Sequence, residues 1–207
     1  MGEGRFERYD RYERALVDVL NLLNLAAPPA PSGDERKDPR ARRHWQCSVA
    51  LMIMREAVPP QPEEMFEPLM LAAVYEPDPS HTQRHIRPAL AAFGRRRVQT
   101  RLLKYLRTGT NYEIIGAADA WYCTYLRVTG SETGDDPSTD LRHAFQETGL
   151  RICLANDHPG VRSRIITLLN LRLEDNPPEL RPLVSEVLRI VRAHPDNAIV
   201  DRHRGAG

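Results

Sequence analysis

The sequence predicts an all-α fold built from consecutive helical hairpins. Apolar residues recur at spacings of three and four along most of the chain, which places them on one face of a helix. Aromatic residues make up only 6% of the chain, and the alternating apolar runs typical of strands are absent. Leucine, alanine, arginine and glutamate dominate the stretches between turns, and these residues favour helices. Helices are therefore expected from end to end.

The N-terminal region, residues 1–57, is expected to form a helical cap of two helices. A stretch near 27–39, rich in proline and charge, predicts a loop between them because it offers nothing to bury. The first helix carries an apolar stripe at helical spacing: Tyr9, Tyr12, Leu16, Val19, Leu20 and Leu23. The second carries a similar stripe: Trp45, Val49, Met52 and Ile53.

A third helix is expected to begin close to Pro62. Pro59 and Pro60 end the second helix, and Pro62 followed by Glu63 and Glu64 is typical of a first helical turn, where carboxylates interact well with the helix dipole. The apolar stripe of this helix consists of Phe66, Leu69, Met70, Ala73 and Val74.

Similar polar turns then recur at residues 76–80, 107–111, 156–160 and 193–197. Each follows an amphipathic stretch, and the first three also precede one. The stripes that follow them are Ile86, Leu90 and Phe93; Ile114, Ala117, Ala118, Trp121, Tyr122 and Tyr125; and Val161, Ile165, Leu168 and Leu169. Helix, turn, helix repeated in this way is typical of an α-solenoid.

Three segments resemble the HEAT-like repeat family. Val161-Arg162 reproduces the family's Val-Arg pair after a turn, Ile86-Arg87 stands in the same role, and Ile114 takes the place of the family's valine, although Ile115 replaces the arginine. The resemblance covers roughly residues 63–197 and implies a short right-handed solenoid of about four helix pairs. We therefore expect one domain over 1–207, with repeats at 63–197 and a tail at 198–207.

The resemblance implies a non-enzymatic interaction module that binds another protein through the concave face of the solenoid. Second helices usually line that face, so its candidate residues are Arg84, Arg87, Arg127, Arg162 and Arg164. Arg162 has a competing structural role, because the family uses this arginine in a ladder between repeats.

A secondary basic stripe lies on the helix predicted after Phe93. Val98, Leu102, Leu103 and Leu106 take its buried face, which leaves Arg97, Arg101 and Lys104 on the opposite side. This stripe suits either phosphate binding or a solvated outer face.

Two histidine arrangements are candidate chemical sites. His81 and His85 are spaced to share a helix face, with Glu76 or Asp78 as a third metal ligand, but no zinc signature surrounds them. Cys47 and His44 are close in sequence, yet a packed core cysteine is the more ordinary interpretation. No catalytic motif occurs in the sequence, so we expect no enzyme activity, no cofactor and no metal.

Charge argues against a nucleic-acid partner. The net charge is +1 and the pI is near 7.8, so the surface offers little basic excess for phosphates. The alternative is a HEAT-like DNA-binding protein or alkylpurine-type DNA glycosylase, with Asp119 and Trp121 near the lesion. Trp121 and Tyr122, however, fall on an apolar stripe and are expected in the core.

The remaining expectations concern localisation and the C-terminal end. No apolar stretch reaches membrane-spanning length, and the wide spacing of Cys47, Cys123 and Cys153 suits a reducing compartment, so a cytoplasmic protein is expected. Asn176 and Pro177 predict the start of a last helix whose stripe would leave the solenoid open. We expect Ile199 and Val200 to fold back over it in a monomer, with a homodimer through this end as the alternative.

Overall fold

The computed structural model describes residues 3–32, 38–125 and 139–192, and all the regular structure in these ranges is helical. The prediction of an all-α fold is confirmed. None of these helices is both long enough and apolar enough to cross a bilayer. The α-helices are α1 (Glu3–Leu22), α2 (Pro39–Glu56), α3 (Phe66–Tyr75), α4 (Gln83–Phe93), α5 (Arg95–Thr108), α6 (Asn111–Cys123), α7 (Thr139–Ala155), α8 (Pro159–Ile166) and α9 (Arg181–Arg192).

The chain divides into two compact units. The first comprises Met1–Leu102 and Asp119–Gly134, and the second comprises Leu103–Ala118 and Asp135–Gly207. Helices α5 and α6 therefore contribute residues to both units. The single repeat domain expected over 1–207 stays a prediction.

In the first unit, α1 packs against α3 and α2 packs against α4. Helices α1 and α2 also contact each other, as do α3 and α4. Helix α3 is the most deeply buried of them, since Leu69, Met70 and Val74 are fully buried. The predicted stripes of α1 and α2 are buried apart from Tyr9, Leu23 and Met52, which are partly exposed. Gln46 is buried in the α2 core and donates a hydrogen bond from Nε2 to Glu13 Oε1 at 2.9 Å.

Local sequence sets several helix ends in this unit. Asp38 caps α2 by accepting a hydrogen bond from the Arg40 amide at 2.9 Å, and Pro39 occupies the first helical position. The predicted acidic turn at Glu63–Met65 forms as a single 3₁₀ turn before α3. Helix α4 ends at Phe93 and is followed by Gly94, whose φ of +78° is easily adopted only by glycine, and α5 begins at the next residue.

In the second unit, α7 packs against α8 and α9. Gly149 permits a close approach to the residues that follow α8, because a Cβ atom at this position would lie 2.7 Å from Leu169 Cδ2. Val161, Ile165 and Leu169 are buried as predicted, whereas Leu168 is partly exposed.

The prediction that Asn176 caps the last helix is wrong. Helix α9 begins at Arg181, and Asn176 is only 4% exposed within the preceding turn. Its Nδ2 donates to the carbonyls of Asn170 at 3.0 Å and Arg172 at 2.7 Å, and its Oδ1 accepts from Gln146 Nε2 at 3.0 Å. The side chain is hydrogen-bonded to these backbone groups and is therefore unavailable to α9.

Most of the apolar stripe of α9 is buried. Val184, Val187, Leu188 and Val191 are buried in the unit where α7 packs against α9. The opposite face is polar and exposed: Ser185, Glu186, Arg189 and Arg192. The predicted fold-back of Ile199 and Val200 lies outside the described residues and stays a prediction.

Candidate functional site

A buried carboxylate lies at the centre of the first unit. Glu76, in the turn between α3 and α4, is 2% exposed. Its Oε1 accepts hydrogen bonds from Arg43 at 2.7 Å and from the amide of Asp78 at 3.0 Å, and its Oε2 accepts one from the Tyr12 hydroxyl. Burial alone would raise the pKa of Glu76, but the hydrogen bonds of His85 and Tyr12 and the charge of Arg43 lower it to about 2. Glu76 is therefore an ionised group in the core.

His85 extends this network within α4. Its ring is fully buried, and Nε2 lies 3.0 Å from the Tyr12 oxygen and 3.5 Å from Glu76 Oε2. Because the Tyr12 proton is donated to Glu76, the Nε2 atom must carry a proton of its own to bond with the Tyr12 oxygen. The Nδ1 atom is buried without a hydrogen-bond partner among the described residues. Burial and the neighbouring Glu76 raise the pKa of Tyr12 well above its usual value.

Partly exposed side chains connect the network to the surface. Arg43 donates to His81 Nδ1 at 2.5 Å, and Cys47 Sγ lies 3.9 Å from the same nitrogen. Asp78 Oδ2 lies 3.6 Å from His81 Nδ1. Burial, followed by the charge of Arg84, lowers the pKa of His81, so at neutral pH the ring is uncharged and can accept from Arg43.

The geometry of this cluster suits a role in stabilising the fold better than a catalytic role. Tyr12, Glu76 and His85 are at most 2% exposed, so no substrate reaches them from solvent. They join α1, the turn after α3, and α4, while Arg43 adds α2. A set of hydrogen-bonded buried charges of this kind holds several helices in one arrangement.

The structure places the two predicted metal-ligand histidines against different partners. His85 faces Tyr12 and Glu76 in the core, whereas His81 faces Arg43, whose positive charge opposes a cation. Among the described residues, no group of three His, Cys, Asp or Glu side chains could hold a metal ion. Cys47 is partly exposed and contacts His81 instead of His44, so its expected core position is wrong, whereas Cys123 and Cys153 are buried.

The predicted concave-face arginines fall in different environments. Arg87 in α4 is exposed and makes no ion pair with any described residue, whereas Arg84 is partly buried and its NH1 atom is fully enclosed. Arg162 in α8 donates from Nε to the carbonyl of Cys153 at 3.1 Å and pairs with Asp157 at 2.7 Å, while Arg164 is half-buried. Arg127 lies outside the described residues.

The secondary basic stripe is largely paired. Arg97 forms a two-pronged ion pair with Glu63 and lies over the Phe66 ring, with its guanidinium carbon 4.2 Å from the centroid. Arg101 pairs with Glu67 at 2.6 Å. Lys104 is exposed. Because acidic side chains neutralise two of the three cations, the outer-face interpretation fits better than a phosphate site.

The residues of the glycosylase alternative are enclosed. Asp119 and Trp121 are 3% and 2% exposed, which leaves neither accessible to a damaged base. The prediction that Tyr122 is a core residue is wrong, since it is 61% exposed. Residues 116–121 of α6 are all buried, and Tyr122 directly follows them. Tyr125, 44% exposed, packs edge to face on Trp121.

The second unit contains a groove that the sequence does not predict. It has a volume of about 660 Å³ and lies where the end of α5 and the start of α6 approach α7. Its lining includes Leu106, Arg107, Ile114, Thr148, Arg151 and Ile152. Arg107 Nε donates to Thr148 Oγ1 across it at 3.4 Å, and Asn156 Nδ2 donates to Asn111 Oδ1 at 2.8 Å near its end. The only sequence signal was the pair of similar turns at 107–111 and 156–160.

No protein-family model, curated protein or solved structure matches this chain. The resemblance of residues 63–197 to HEAT-like repeats thus stays a prediction. It depends on the recurring turns and on pairs such as Val161-Arg162.

Proposed function

We propose that the chain is a non-enzymatic binding module, a HEAT-like scaffold that binds another protein through its second helices. The observation that carries this proposal is the exposure of Arg87 on α4 and of Tyr122 on α6. Tyrosine and arginine are enriched in protein interfaces because each combines a large contact area with hydrogen-bonding groups. A tyrosine that is 61% exposed gains little from folding, which suits a contact made with a partner.

The packing order of the helices supports the HEAT-like part of the proposal. In the first unit, the first helix of one pair packs on the first helix of the next, α1 on α3, and the second packs on the second, α2 on α4. In the second unit, α7 packs on α9 in the same sense. Stacked pairs of this kind expose the outer faces of a whole series of helices to a partner.

The candidate arginines differ in their expected contribution. Arg87 is the best contact residue, because it is exposed and has no acidic partner among the described residues. Arg127 is retained as a sequence-based candidate. Arg162 stabilises the turn before α8 through Cys153 and Asp157, so its replacement would affect folding before binding.

We place this module in the cytoplasm as a monomer. Burial raises the pKa of the Cys153 thiol to about 12, and Cys123 is also buried as a free thiol. Three unpaired cysteines suit a reducing compartment.

The test is capture from native cytoplasmic extract with the full chain as bait, followed by quantitative mass spectrometry. Arg87→Glu and Tyr122→Ala should each remove one and the same protein, while their thermal stability changes by only about 0.5 kcal/mol. Arg189→Glu on α9, which reverses another exposed arginine, is the control and should retain that protein. The purified partner must then show the same order of affinities. A protein retained by both variants, or none captured, contradicts the proposal.

A further inference from the structure

Building on the proposed function, we infer that the groove of the second unit binds an acidic, partly apolar peptide segment of the partner protein. The groove lies where the end of α5 and the start of α6 approach α7, and it is partly open to solvent. The apolar floor and the charged rim of the groove indicate the chemical character of the peptide.

The floor of the groove is apolar. Leu106 and Ile114 are 1% and 7% exposed and are fixed in the core, whereas Ile152 is partly exposed and Ala155 is exposed. A peptide that covers Ile152 and Ala155 removes apolar surface from water, a gain of about 25 cal/mol for each Å². The occupant must therefore present apolar side chains to this end of the groove.

The rim of the groove carries one arginine, Arg107, that pairs with no carboxylate among the described residues. The carboxylate of Asp157 is paired with Arg162 at 2.7 Å, and that of Glu147 is paired with Arg151 at 2.8 Å. Arg107, by contrast, contacts no carboxylate among the described residues, and its polar contact is with the hydroxyl of Thr148. A carboxylate on the occupant would supply the missing charge.

A second arginine can join the same carboxylate. Arg151 lies one helical turn from Thr148 on the same face of α7, so it is close to the position of Arg107. Its pair with Glu147 is exposed, with side-chain exposures of 64% and 46%, and such pairs are weak. Arg151 binds Glu147 through Nε and NH2, so its remaining donors can also contact an acidic residue of the peptide.

The experiment uses a random peptide library displayed on phage and selected on the full chain. We expect enrichment of peptides that combine an acidic residue with neighbouring apolar residues. Synthetic copies should bind Arg107→Glu at least about tenfold more weakly, and Lys104→Glu, the same reversal one turn earlier in α5, less than about threefold more weakly. Ala155→Glu, which places a carboxylate over the apolar floor, should also weaken binding. Selection on Arg107→Glu should enrich basic peptides instead.

Thermal unfolding and circular dichroism of each variant ensure that a loss of binding reflects the groove. Failure to enrich any peptide, or peptides that bind Arg107→Glu as tightly as the wild type, would overturn the inference. A natural partner that depends on Arg87 but not on Arg107 would also overturn it, while leaving the proposed function intact. Binding of a second copy of the chain or of nucleic acid at Arg107, without any selected peptide, would equally overturn it.

Discussion

The hydroxyl of Tyr12 in α1 donates a hydrogen bond to the carboxylate of Glu76, which lies 64 residues later in the turn after α3. Both side chains are at most 2% exposed. The bond joins the first helix of the chain to the connection between α3 and α4, so these elements depend on one another for stability.

Tyr12→Phe should destabilise the protein. The substitution retains the ring and its packing but removes a donor from a buried carboxylate, and an unsatisfied buried group of this kind costs about 1 to 3 kcal/mol. Urea unfolding followed by circular dichroism measures the loss. Tyr122→Phe removes a hydroxyl from an exposed tyrosine and should change the unfolding free energy by less than about 0.5 kcal/mol. Equal effects of the two substitutions would show that the Tyr12 bond contributes nothing.

Acid should weaken the protein through Glu76. Its pKa is lowered from 4.5 to about 2 in the folded state, so its contribution to stability is fully present above the unfolded value and is lost as the pH falls through 4.5 towards 2. Unfolding free energies measured across this range should fall by a few kcal/mol from this group. Glu76→Gln should be less stable at neutral pH and should show a flatter slope between these pH values. An unchanged slope in the variant would assign the acid sensitivity to other carboxylates.

Gly149→Ala should destabilise the second unit. The added methyl group would lie 2.7 Å from Leu169 Cδ2 and 3.3 Å from Ile165 Cγ2, closer than van der Waals contact allows. Overpacking of this kind costs about 1 to 3 kcal/mol. Thermal unfolding measures the loss of stability. Leu169→Ala removes the side chain that clashes but leaves a cavity, so the double variant is compared with each single variant to separate these two effects. If the two substitutions are simply additive, the clash with Leu169 is not the cause.

The three cysteines should label at very different rates. Cys47 is partly exposed, whereas Cys123 and Cys153 are 6% and 0% exposed and burial raises the pKa of Cys153 to about 12. The rate of alkylation depends on the thiolate fraction and on the solvent exposure of the sulfur. When the native protein is treated at neutral pH, Cys47 should therefore be alkylated first. Peptide mass spectrometry after timed alkylation reads each position separately, and Cys47→Ser should leave a nearly unreactive protein. Comparable labelling of Cys153 would show that α7 opens readily.

The sequence alone determined the helical fold and most of the buried faces. Buried residues such as Leu16, Leu69 and Leu102 each belong to a stripe of apolar residues at helical spacing within their own helix. This local periodicity depends on no distant contact. Local chemistry also predicted the acidic turn before α3 and the positions of the polar turns between later helices.

Only the tertiary structure decided which polar residues meet. The network of Tyr12, Glu76 and His85 joins side chains up to 73 residues apart, and no periodic signal links such positions. For the same reason, the sequence does not predict that Asn176 binds the carbonyls of Asn170 and Arg172 instead of capping α9. Nor does it predict the ion pair of Arg97 with Glu63. The groove beside Arg107 arises where α5, α6 and α7 come together. A helix stripe is a property of neighbouring residues, whereas a site is a property of the packing that brings distant residues into contact.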